Sequence, residues 1–184
     1  MLRDEGMRDL RRTNDEGRKT GSPRKHANDI EIERYRRMDP QAELNAGNLE
    51  SQAALRALVG RLTEADLARD LGEGWTVTAM LAHMGFYDAR VLALFRRWEA
   101  GGEVKDSPLD PHAINEAMLP YLQLLPGLAV AERTLALAAE CDAAIAALTP
   151  EQLRRMEAAG YPARLDRAHH RREHVEQIER ALES

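Results

Sequence analysis

Aromatic side chains are scarce in this chain: two Trp, four Tyr and two Phe make up 4% of its 184 residues. Alternating runs rich in Val, Ile and Thr are also missing, while Ala, Leu, Glu, Arg and Gln dominate. That composition disfavours a β-rich fold and points to an all-helical protein. A single cysteine, Cys141, excludes an internal disulfide framework and fits a reducing cytoplasm. No apolar run approaches the ~20 residues that a membrane span needs, and no signal-peptide pattern opens the sequence. The expectation is a soluble, cytoplasmic protein with no membrane partner. Several catalytic signatures are absent too: there is no Gly-rich phosphate loop, no Gly-x-Ser-x-Gly and no His-Glu-x-x-His.

What is present is charge, unevenly spread around a net –5. Residues 1–37 hold 11 Lys and Arg against 8 Asp and Glu, whereas residues 38–184 hold 15 against 23. An acidic body without a basic, aromatic-studded face argues against nucleic acid as a partner. The first stretch has few large apolar residues and carries Gly21-Ser-Pro23 and Asn28-Asp29 as breaks. It cannot bury enough apolar surface to offset its ordering entropy, so residues 1–40 read as a charged, disordered tail. Met38 opens a stretch that reads well as a domain start, and residues 41–184 form one domain large enough to bury a core.

Four substantial helices are expected there. The first covers about 41–61, with Leu44, Ser51, Leu55, Leu58 and Leu62 on one stripe. Thr63-Glu-Ala-Asp66 has the form of a capping box, and Gly72-Glu-Gly-Trp-Thr76 breaks the chain. The second helix spans about 76–100 with Thr76 as N-cap. Its apolar stripe includes Val77, Met80, Leu81, Met84, Val91, Phe95 and Trp98, with Asp88 inside the stripe and His83 on its edge. A polar connection of about ten residues follows, longer than an antiparallel hairpin needs. Asp110-Pro111 then caps a third helix running to about Leu148, in which Pro120 and Pro126-Gly127 must kink or split the chain. Ile114, Met118, Tyr121, Leu122 and Leu125 face inward in that reading. Thr149-Pro-Glu-Gln152 starts a short turn, and the fourth helix covers about 164–182. The architecture is an all-α four-helix bundle with a long crossing connection between helices two and three.

Chemistry concentrates in Ala168-His-His-Arg-Arg-Glu-His174. His170 and His174 are four apart and share a helix face with Val175, Ile178 and Leu182, so both imidazoles point toward the interior. Two nitrogen donors at this spacing can grip one divalent metal, and His83 is the best third donor. Three histidines suit zinc, nickel and iron(II) alike. His169 points about 100° away and reads as solvated; His112 and His26 get no role. Cys141 reads as a small core residue, and Asp88 and Asp142 as surface or cap residues.

Three short motifs in order also carry a resemblance: Gly74-Trp-Thr-Val-Thr-Ala-Met-Leu-Ala-His83, Ala113-Ile-Asn-Glu116 and His170-x-x-x-His174-x-x-x-Ile178. Over residues 41–182 the chain resembles the DinB-like superfamily, whose relatives include the N-terminal domain of mycothiol-dependent maleylpyruvate isomerase and colibactin self-resistance type proteins. The resemblance implies a four-helix bundle with a crossing connection and a metal triad at His83, His170 and His174. It implies, too, a transferase using a low-molecular-weight thiol such as mycothiol or bacillithiol, or a metal-dependent hydrolase, acting on a small electrophile. Arg90, Tyr87, Asn115 and Tyr121 are further residues placed to line the cleft. Ala-rich outer faces fit a homodimer. The contrasting expectation is a non-catalytic helical binding or dimerisation module whose histidines are packing residues.

Overall fold

A computed structural model describes residues 40–105, 110–160 and 163–184. The expected N-terminal tail, including His26, therefore lies outside the described residues apart from Pro40. The described residues are mostly helical, in seven helices and one two-stranded sheet: α1 Pro40–Val59, α2 Glu64–Leu67, β1 Asp70–Gly72, β2 Trp75–Thr76, α3 Val77–Glu99, α4 Pro111–Leu122, α5 Gly127–Ala146, α6 Pro150–Ala158 and α7 Ala168–Leu182. Helix α1 packs on α5 and α7, while α3 packs on α5, α4 and α7.

Local chemistry starts most of these helices. Thr63 and Thr149 close full capping boxes with Asp66 and Gln152, Thr76 accepts from Ala79 N–H, and Asp110 accepts from His112 and Ala113 N–H. Helices α5 and α7 have no side-chain cap from their own N-cap residue, and α7 differs most from expectation. It begins at Ala168 instead of 164, with Arg167 at the N-cap. Its first amides are satisfied from another helix: Asn48 Oδ1 on α1 accepts from Arg167 N–H at 2.9 Å and Ala168 N–H at 3.1 Å. Asn48 Nδ2 also donates to the Leu165 carbonyl. Asp166 Oδ1 takes the next amide, that of His169, so a buried side chain from α1 and a local carboxylate together cap the start of α7.

The stretch from 70 to 76, expected as a simple break, is a tight antiparallel hairpin pairing Asp70 with Thr76 and Gly72 with Trp75. Its turn requires left-handed backbone at Gly72, Glu73 and Gly74, with φ of 95°, 53° and 80°. The expected third helix is split. Pro120 lies inside α4, and the break falls at 123–126, ahead of Gly127. Only Leu122 of the expected inward set is buried; Tyr121 and Leu125 are exposed, as α3 is the one helix that α4 packs against closely among the described residues.

Two apolar clusters hold the helices together. One gathers Leu55, Leu58, Val77, Leu81, Met84, Val175 and Ile178; the other Val91, Phe95, Cys141, Ile145 and Met156. Each fully buried Leu or Ile contributes about 1.5–3 kcal/mol. Close approach of α3 to α5 depends on Gly85, where a Cβ would sit 3.0 Å from Thr134 Oγ1. That hydroxyl donates across the gap to the Leu81 carbonyl.

Candidate metal centre

Between the two apolar clusters on α3 lies Asp88, fully buried, and it organises the interior beneath the histidines. Asp88 and Asp142, expected at the surface or in caps, form a buried ion-pair network with Arg167 and Arg171, in which Asp142 Oδ1 has no hydrogen-bond partner among the described residues. Arg171, with no exposed surface, uses all five N–H donors: Nε and Nη2 on Asp88 Oδ2, Nη1 on Asp142 Oδ2, and two longer bonds to the Asn48 and Ala138 carbonyls. Burial alone would disfavour its charge, but the hydrogen bond from Arg171 to Asp142 and the field of Asp88 raise its pKa further. Arg167 Nε donates to Asp88 Oδ1 at 2.7 Å, and Gln52 donates to Asp142 Oδ2. These carboxylates are buried because two guanidiniums from α7 and its approach meet them there.

Above this network the fold brings together the three histidines singled out in the sequence. Helix α3 supplies His83, only 5% exposed, and α7 supplies the half-buried His170 and His174. His83 is thus in the interior wall of a cleft, deeper than a rim position. One ring nitrogen from each lies within 4.8 Å of the others. His83 Nε2 and His170 Nε2 are 3.1 Å apart, a spacing two donors of one coordination sphere would have at Zn–N lengths near 2.0–2.1 Å. His174 Nδ1 donates to Gln177 Oε1, which leaves its Nε2 lone pair free.

Electrostatics keep these rings neutral. Burial above all, with His174 nearby, pushes His83 down to about 4. Burial and then the Arg167 guanidinium push His170 down to about 2. Burial lowers His174 as well, against opposing pulls from Gln177 and Glu173. At pH 7 all three imidazoles are uncharged bases, the form that ligates metal. Three neutral nitrogens converging on one point fit a divalent ion.

The cluster opens into a cavity of about 920 Å³. Tyr87, Arg90 and Asn115 line it as expected, with Tyr87 donating to Asn115 Oδ1 at 3.2 Å. Tyr121 does not; it is 74% exposed on α4. Trp75, carried by the hairpin, meets His83 edge-on at 5.6 Å between ring centres. Arg164, Arg167, Glu173 and His112 also line the cavity and were not expected there. The signal that could have found Arg167 and Glu173 was their spacing: they stand three residues before and after His170. His169 is exposed, as expected, and Cys141 is buried in the second apolar cluster, its thiol pushed up to about 12, mainly by burial.

A family model described as the DinB superfamily matches residues 49–178, a span that contains all three histidines. No curated protein and no solved structure matches the chain.

Proposed function

The chain belongs to the DinB superfamily, and from that premise we propose that it is a divalent-metal protein acting on small electrophiles, as a low-molecular-weight-thiol S-transferase or a metal-dependent hydrolase. The observation that carries this reading is the meeting of three neutral imidazoles at the floor of an open cavity. His83, His170 and His174 would hold the ion, with further coordination positions facing the cavity. An ion there would supply Lewis acidity and lower the pKa of a bound thiol or water toward neutrality. The protein's own residues do the rest. Trp75 and Tyr87 narrow the space above the histidines, and the Tyr87–Asn115 hydrogen bond fixes the phenol as part of the wall. Arg90 and Arg164 line the same cavity, where they favour an anionic substrate or thiol cosubstrate.

The same reading takes α1, α3, α5 and α7 as a four-helix bundle, with the connection from α3 to α5 crossing its end and carrying α4. It places the protein in the cytoplasm, where mycothiol, bacillithiol or a similar thiol is reduced. No helix among the described residues is long and apolar enough to cross a membrane. A homodimer is consistent with the large exposed side chains of α4 and its surroundings, Tyr121, Leu124, Leu125 and Leu128.

Elemental analysis of tag-free protein tests the reading, alongside His83→Ala and His174→Ala. About one zinc, nickel or iron per chain, lost in both variants, supports it and directs the search to thiol transfer and hydrolysis. Wild-type protein that stays metal-free after reloading with each of these ions refutes it. The histidines are then packing residues of a helical binding module.

A further inference from the structure

A second cavity, of about 380 Å³, lies toward the other end of α3, between α3, α5 and α6. Trp98 on its wall and His83 belong to the same helix, about 22 Å apart at 1.5 Å per residue. The two cavities share no lining residue. The inner wall of this one is apolar: Phe95 and Met156 are buried there, and Leu148 is half-buried. Its size falls in the range of about 300–1,000 Å³ typical of small-molecule sites, which are mostly apolar with a few polar groups to fix orientation.

Here those polar groups are nearly all donors. Arg96 and Arg155 are exposed at the mouth, and neither guanidinium has an ion-pair partner among the described residues. Gln152 is turned by its own helix start. The capping box holds its Oε1 on Thr149 N–H at 2.8 Å and on the Thr149 hydroxyl at 3.0 Å. Its Nε2 is left as a donor without an acceptor among the described residues. The indole N–H of Trp98 is buried and lacks an acceptor as well, a shortage that costs free energy until an acceptor reaches it. One carboxylate, Glu99, stands against these donors.

We propose that this cavity binds a small organic monocarboxylate, an aryl or alkyl acid. Its hydrocarbon body lies on Phe95, Leu148 and Met156, and its carboxylate sits among Arg96, Arg155 and Gln152. The Trp98 ring, 5.5 Å from that of Phe95 between centres, covers the hydrocarbon. Its N–H gains an acceptor when the ring turns toward the carboxylate. Two guanidiniums less one carboxylate leave a single positive charge at the mouth, which suits a monoanion, while Glu99 disfavours a phosphate dianion. The site needs no ion and uses none of the three histidines, so it stands apart from the metal reading.

A pair of probes tests this: 4-phenylbutyrate and 4-phenylbutanol share an apolar body and differ in charge. Each is titrated into the full, ¹⁵N-labelled chain and followed through the two indole N–H signals, assigned with Trp98→Phe. Both should move the Trp98 signal and leave that of Trp75 in place. The acid should bind about 5- to 25-fold more tightly, up to about fivefold for each exposed charge pair. Arg96→Gln combined with Arg155→Gln should reduce the acid to the affinity of the alcohol, and Ala144→Leu, which fills the cavity, should weaken both. The arginine pair is on the surface and carries the test should Ala144→Leu cost folding. An acid that leaves Trp98 unmoved, or that binds no better than the alcohol, overturns the proposal. Movement of Trp75 alone also overturns it, since the acid would then sit in the histidine cavity.

Discussion

Helix α7 carries two buried polar clusters a single turn apart, and they are built in opposite ways. Arg171 and Arg167 enter a buried set of charges in which every guanidinium N–H of Arg171 is spoken for and a single oxygen, Asp142 Oδ1, is left without a partner, away from the walls of both cavities. His170 and His174, on the neighbouring face, belong to a cluster with a nitrogen orphaned at His83 Nδ1, ring pKa values forced down and a cavity in front. Buried polar groups with their partners supplied by the fold specify a structure. Groups left short of partners at the edge of a cavity, with shifted pKa values, are where ligands bind. The charged cluster positions the helix; the histidine cluster faces its cavity.

The sharpest way to break this contrast is Arg171→Met. It leaves Asp142 and one oxygen of Asp88 buried without their main partner, and urea unfolding should show a loss of about 3–5 kcal/mol. A loss near that of an ordinary surface substitution would mean the charged cluster is not what holds α7. Next comes His174→Ala. It should reduce zinc affinity by more than the ~10–100-fold typical of losing an outer-shell partner, yet lower stability by only about 1 kcal/mol. A stability loss matching that of Arg171→Met would erase the distinction between the two clusters.

Acid sharpens the comparison further. All three histidines have folded pKa values below the unfolded value near 6.5, so the unfolded chain takes up protons first. Their contribution is present in full above about pH 6.5 and is lost as pH falls, down to about 4 for His83 and on to about 2 for His170. The urea midpoint of the metal-free protein should drop across that window, and His83→Ala with His170→Ala should flatten the slope. The smallest effect is expected at Cys141. Buried and held as a thiol, it should resist a neutral thiol reagent in the folded protein and react only when urea unfolds the chain.

Much of this was legible before any coordinates, and the division follows the range of the interaction. The caps at Thr63, Thr76, Asp110 and Thr149 are decided within four residues, so the sequence alone indicates them. His170 and His174 share a face by helical spacing, and the three motifs name His83 as their partner. The hairpin was missed because strands of three and two residues leave no alternating pattern to read. Asp88 and Asp142 were misread as surface residues because a carboxylate is buried only when a distant cation meets it. Here that cation is Arg171, 83 positions from Asp88 and 29 from Asp142. The start of α7 at Ala168 is only partly local: Asp166 accepts from His169 N–H, but the amides of Arg167 and Ala168 are met by Asn48, about 120 positions upstream.

That remote cap has a consequence for how the protein comes into being. Two of the three imidazoles ride on the last fifteen-residue helix, and its first turn is fastened by a side chain from the first described one. On the ribosome, α1 through α5 can emerge and begin to collapse while Asn48 still has nothing to fasten. A growing chain therefore cannot yet bring the three imidazoles together. The site comes into being late and all at once, when α7 reaches α1.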